Sequence, residues 1–184
     1  DRQYLTGLKL GGQRIVVLLD RSASMLDHSL VNIIRLRNMP EPVQRRAAKW
    51  RRAVATVNWI SARFPPTAEY QILLFGTEAK PALPETAGKW LAVGDSEQLG
   101  RAVDALEKIT PAGGTSLLAA FQAVAAMKPA PDNIYLITDG LPTQGSGVPP
   151  AKVNGRDRMK YFNQALAALP RGIPVNVILA PMEG

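Results

Sequence analysis

Arg14-Ile15-Val16-Val17-Leu18-Leu19-Asp20-Arg21-Ser22-Ala23-Ser24 reads as a buried strand that ends in Asp-x-Ser-x-Ser. The apolar run is the length of a core strand and too short for a buried helix. Its end sets one carboxylate and two hydroxyls on a single turn. These are all oxygen donors, the ligands that hard divalent cations such as Mg²⁺ take. Two further pieces follow in order: Gly113-Gly114-Thr115-Ser116, and Ile134-Tyr135-Leu136-Ile137-Thr138-Asp139-Gly140, a second apolar strand ending in Asp. Asp-x-Ser-x-Ser alone turns up by chance in roughly one chain in twenty of this length. Its place at a strand end, with the other two pieces downstream, makes it informative.

Strand signals at 14–20, 69–75, 133–138 and 174–179 alternate with helical ones, the pattern of an α/β fold with a mostly parallel sheet. A weaker strand at 79–83 belongs on an edge and is expected to run antiparallel, because Pro81 and Pro84 cannot sit in a central strand. The first long helix is expected over 42–63. Val43, Ala47, Trp50, Val54, Val57 and Phe64 share one face, with Arg45, Lys49 and Arg52 opposite. Pro65-Pro66 ends it. Further helices are expected from an Asp95 or Ser96 cap to about 108, over 116–128, and over 157–169 before Pro170. The architecture is a Rossmann-like, open, twisted sheet with helices on both faces. Such sheets bind ligands beyond the carboxyl ends of their strands, where strand order reverses. Asp20 and Asp139 lie at two such ends, and Thr115 opens a helix on a loop freed by two glycines.

These three pieces resemble the von Willebrand factor A domain, with all parts of its metal-ion-dependent adhesion site. The resemblance runs from about Arg14 to Ala180 and is closest to bacterial versions. It implies Mg²⁺ or Mn²⁺ held by Ser22, Ser24 and Thr115, with Asp20 and Asp139 acting mainly through bound waters. It implies a non-enzymatic role in protein–protein recognition, with a partner's Asp or Glu completing the metal. A second reading is an adaptor of an ATP-driven, chelatase-like machine. A third is a metal-dependent hydrolase or phosphotransferase, which lacks a positioned general base or phosphate-binding Lys. Family members usually carry a further strand and a C-terminal helix, whereas this sequence stops at Pro181-Met182-Glu183-Gly184.

The charge count favours binding over a structural cage. Two ionised aspartates balance one divalent cation, and neutral hydroxyls leave it electrophilic toward an incoming carboxylate.

The chain has 184 residues and a formal charge of +7, with no cysteine. The length suits one domain, 1–184, excised from a longer protein. No apolar run spans a bilayer, so any membrane attachment belongs to segments outside the sequence. A bacterial cell-envelope location, periplasmic or membrane-anchored, is expected ahead of the cytoplasm. The basic stretch 35–52 reads as a solvated helix face and carries no nucleic-acid motif. An insertion, 25–40, separates Ser24 from the long helix. Leu30, Ile33, Ile34 and Leu36 suggest a short helix there with Asp27 as cap, and its apolar residues are expected to pack. The loop from Gly140 to Gly155 is expected to line the metal rim, with Lys152 and Arg156 near an acidic ligand. His28 is expected on the surface or packed within the insertion.

Overall fold

Alternation along the central strand sorts the core into two layers. A computed structural model describes residues 11–146 and 152–182. Strand β1 (Arg14–Asp20) sends Ile15, Val17 and Leu19 to one side of the sheet, and Val16 and Leu18 to the other. All five are fully buried. Each such side chain contributes about 1.5–3 kcal/mol by leaving water.

Among the described residues the sheet has six strands. With β2 (Glu69–Phe75), β3 (Ala79–Pro81), β4 (Leu91–Ala92), β5 (Asn133–Thr138) and β6 (Val175–Leu179), the order is β3-β2-β1-β5-β6, and β4 also pairs with β2. β2, β1, β5 and β6 are parallel, while β3 and β4 run antiparallel to β2. The four main strands lie where the hydrophobic runs place them. β3 is shorter than expected and ends at Pro81. β4 is too short for periodicity to reveal.

Helices α1 (Leu30–Arg37), α2 (Glu41–Arg45), α3 (Ala48–Ser61), α4 (Ser96–Glu107), α5 (Leu117–Ala126) and α6 (Gly155–Ala168) complete the described chain. α3 and α4 cover the Val17 side through Val54, Val57, Ala102 and Leu106. α5 and α6 cover the Leu18 side through Phe121, Val124 and Ala165. Asp95 caps α4 by accepting from Gln98 N–H, and Ser116 caps α5 by accepting from Ala119 N–H. Asn154 and Asp157 form a reciprocal capping box on α6. Each cap satisfies orphan donors of a first turn.

Two expectations need correction. The helix expected over 42–63 is two helices, broken at Arg46 and Ala47, where Ala47 is extended at φ −54°, ψ 132°. Gln44 is buried, and its amide donates to the Met39 and Arg37 carbonyls. These bonds tie α2 back to the end of α1 and the turn after it. The insertion does form a helix, α1, and packs only in part, with Leu36 partly buried against the core. Ile33 is buried, whereas Leu30 is 68% exposed, Val31 75% and Ile34 53%. Its cap is Ser29, which accepts from Asn32 N–H; Asp27 braces that turn by accepting from Ser29 N–H and Asn32 Nδ2.

Candidate metal centre

β1 and β5 are neighbours, with Leu19 beside Ile137, so Asp20 and Asp139 leave the sheet side by side. The chain crosses from β1 to β2 on one side while β5 lies on the other, which opens a crevice at the strand ends.

Asp20 is fully buried. Its Oδ1 accepts from Ser22 N–H at 2.8 Å, and its Oδ2 accepts from the Thr138 hydroxyl at 2.7 Å. Burial pushes its pKa up to about 6, against the downward pull of the Thr138 and Ser22 hydrogen bonds; the charge of Asp139 adds to the rise. Burial disfavours the charged form of a carboxyl, and here it outweighs the two hydrogen bonds that favour it.

A chain of hydroxyls joins the other members. The Ser22 and Ser24 hydroxyls are 3.0 Å apart, and Ser24 donates to Asp139 Oδ1 at 3.0 Å. A 3₁₀ turn, Ala23–Leu26, holds Ser24 in place.

Thr115 is buried on a loop stitched to the same turn. Ala112 N–H donates to Arg21 C=O at 2.8 Å, and Ala23 N–H to Gly113 C=O at 3.0 Å. Gly113 has φ +76°, which explains a glycine there. A Cβ on Gly114 would lie 2.9 Å from Thr143 Oγ1, the atom that accepts from Thr115 N–H at 2.9 Å. Among the described residues, the hydroxyl chain linking Ser22, Ser24 and Asp139 does not include the Thr115 side chain.

Lys49 alters the charge count. Expected on the solvent face with Arg45 and Arg52, it is instead 6% exposed. Its Nζ lies 2.7 Å from Asp139 Oδ2 and donates to the Ser24 carbonyl at 2.9 Å and the Asp27 carbonyl at 3.1 Å; Met182 Sδ sits 2.9 Å away. The Lys49 and Asp139 side chains are 5% and 7% exposed. The two aspartates therefore do not face an incoming cation with their full charge, since one already carries a buried ammonium.

The donors still suit a hard cation. Two carboxylates and three hydroxyls stand on three adjoining loops, and oxygen alone is offered. No group of three or more His, Cys, Asp or Glu occurs among the described residues. A metal here would thus depend on the hydroxyls as much as on the carboxylates.

Thr138, Thr143 and Lys49 escaped the sequence reading. Thr138 had a signal, since it directly precedes Asp139. Thr143 lies in the loop expected at the rim, where Thr143 and Gln144 N–H both donate to the Thr115 carbonyl. Residues 147–151 of that loop lie outside the described residues. Lys152 and Arg156 are exposed. His28 is exposed as expected, with Nδ1 3.3 Å from Asp27 Oδ1.

A family model described as von Willebrand factor type A domain matches residues 15–141. The chain is similar in structure to the minor pilin PilB of Streptococcus sanguinis, with TM-score 0.60 and 15% identity over 95% of this chain and 51% of that one. It is similar to an aerotolerance-related membrane protein of Bacteroides fragilis, with TM-score 0.56 and 20% identity over 94% of this chain and 74% of that one. It is also similar to a von Willebrand factor type A protein of Catenulispora acidiphila, with TM-score 0.55 and 16% identity over 91% of this chain. The chain spans 33% of that last protein's length and about half of PilB's. At these identities the likeness concerns the fold. No curated protein sequence matches.

Proposed function

Because the chain belongs to the von Willebrand factor type A domain family, a family of protein-interaction domains, we propose that it is a non-catalytic module that binds a protein partner through a divalent cation. The observation that carries this reading is the convergence of Asp20, Ser22, Ser24 and Asp139 at the β1–β5 crevice, with the Thr115 loop bonded to the same turn. Ser22, Ser24 and Thr115 would offer hydroxyls, and Asp20 and Asp139 charge. Mg²⁺ or Mn²⁺ bound there would supply an electrophile for an Asp or Glu of the partner.

The exposed apolar face of α1 favours a protein over a small ligand. It follows directly on the turn that carries Ser24, and apolar surface beside a polar site is typical of protein-binding surfaces. No helix among the described residues is long and apolar enough to cross a membrane. We place the module at the bacterial envelope by analogy with the membrane protein and the pilin that share its fold.

The test is calorimetric titration of the purified chain with Mn²⁺. Binding in the micromolar to millimolar range is expected, as for weak oxygen sites, and Asp20→Ala should abolish it. A wild-type chain that binds no Mn²⁺, or an Asp20→Ala chain that binds it equally, removes the metal from this function.

A further inference from the structure

We propose that Lys49 is a resident counter-cation that makes metal binding and partner-carboxylate binding mutually dependent. The inference rests on the metal-dependent reading above and goes beyond it to the regulation of the same site. Its basis is geometric. The Lys49 ammonium is buried, touches Asp139 Oδ2 at 2.7 Å, and is locked by the Ser24 and Asp27 carbonyls of the turn that presents the serines. An ammonium so held is part of the site and not a surface charge that drifts through it.

Its consequence is electrostatic. Buried charge is tolerated when it is balanced. With both aspartates ionised, the site carries one net negative charge, because Lys49 cancels Asp139. A divalent ion alone turns this into one net positive charge. One carboxylate from outside brings it to zero. Metal alone and carboxylate alone each leave the pocket unbalanced, and the two together do not. Without Lys49 the order changes: the two aspartates balance the metal by themselves, and an added carboxylate leaves an excess negative charge. The lysine therefore converts a plain cation site into one that retains its metal when an acidic group arrives.

The experiment uses Mn²⁺ as the metal and acetate as the carboxylate. Calorimetric Mn²⁺ titrations compare wild type, Lys49→Met and Lys49→Arg, in acetate and in chloride at equal ionic strength, with free Mn²⁺ corrected for acetate complexation. Wild type and Lys49→Arg should bind Mn²⁺ weakly in chloride and several-fold more tightly in acetate. Lys49→Met should bind at least about tenfold more tightly than wild type in chloride, with no gain from acetate. Should Lys49→Met not fold, Lys49→Gln removes the charge and keeps a donor toward the Ser24 and Asp27 carbonyls, and the same result is expected of it. Equal Mn²⁺ affinity in wild type and the neutral variant overturns the inference and leaves the metal site standing. So does an equal acetate effect in both. Absence of Mn²⁺ binding in every variant overturns the metal reading and this inference with it.

Discussion

The hydroxyl of Thr138 donates to Oδ2 of Asp20 at 2.7 Å, tying the end of β5 to the end of β1. The two strands are already hydrogen-bonded neighbours, so this contact adds direction more than cohesion. It turns one carboxylate oxygen toward the sheet while Ser22 N–H fixes the other. Asp20 is thereby oriented without being neutralised, since hydrogen bonds lower its pKa by less than burial raises it.

That state predicts how stability varies with pH in the metal-free chain. The folded pKa of Asp20, about 6, lies above its ordinary 3.8. Between these values the native state binds the proton more tightly than the unfolded chain does. The stabilising contribution is therefore present below about pH 4 and is lost as pH rises through 6. Asp20→Asn, which cannot ionise, lacks this slope. In chelator, the variant should match wild type near pH 4 and exceed it near pH 7 by an amount on the order of 2–3 kcal/mol. Urea midpoints at four pH values would read this. A constant difference across the range would mean that Asp20 is not held above its ordinary pKa.

Metal uptake should release a proton in the same window. Asp20 faces Asp139 across the crevice, and Asp139 faces Lys49, so a bound cation favours ionised Asp20. Near pH 5.5 each Mn²⁺ should displace roughly one proton, and near pH 7.5 almost none. Titrations in two buffers of unlike ionisation heat measure the number directly. The same proton count at both pH values would place the metal away from Asp20.

Much of this site was legible because its residues lie in the punctuation of the fold. Asp20, Ser22 and Asp139 follow apolar runs whose length marks strands, and Thr115 follows a glycine pair that opens a helix. What was hidden was the margin of one helix face. Lys49 stands one turn before Ala53 and two turns before Val57 in α3, at the edge of its buried face, where a charged side chain reads as solvent-facing. Only the crevice beside it, with Asp139 and two turn carbonyls, gives its ammonium partners there. The exposure of α1 was hidden for a related reason: an amphipathic repeat reveals an apolar face but not whether anything in the same chain covers it.

The glycine loop offers a test of how Thr115 is positioned. Gly113 holds φ +76°, where a Cβ is strained, so Gly113→Ala should lower stability by about 1 kcal/mol. Gly114→Ala meets Thr143 Oγ1 instead and pushes away the acceptor of Thr115 N–H. Its expected mark is weaker Mn²⁺ binding with a smaller loss of stability than Gly113→Ala. Calorimetry paired with thermal melts separates the two. Unchanged Mn²⁺ affinity in Gly114→Ala would show that the Thr143 contact does not position Thr115 for the metal.

Chain-internal packing and partner docking make opposite predictions for α1. Leu30, Val31 and Ile34 are all more than half exposed. Replacing the three by Ser removes little buried area, so stability should change by less than about 0.5 kcal/mol per site. Had Leu30 and Ile34 packed as the sequence suggested, each truncation would remove a buried aliphatic group and lower stability by about 2–5 kcal/mol. Ile33, which is buried, serves as the internal control and should show the larger loss on Ile33→Ala. If the face instead meets a partner beside the metal, the triple variant should fold, keep its Mn²⁺ affinity, and lose the proteins that immobilised wild-type chain retains in Mg²⁺ but not in EDTA. Retention equal to wild type would separate α1 from the metal-dependent interface. A large drop in the melting temperature would return these side chains to the core.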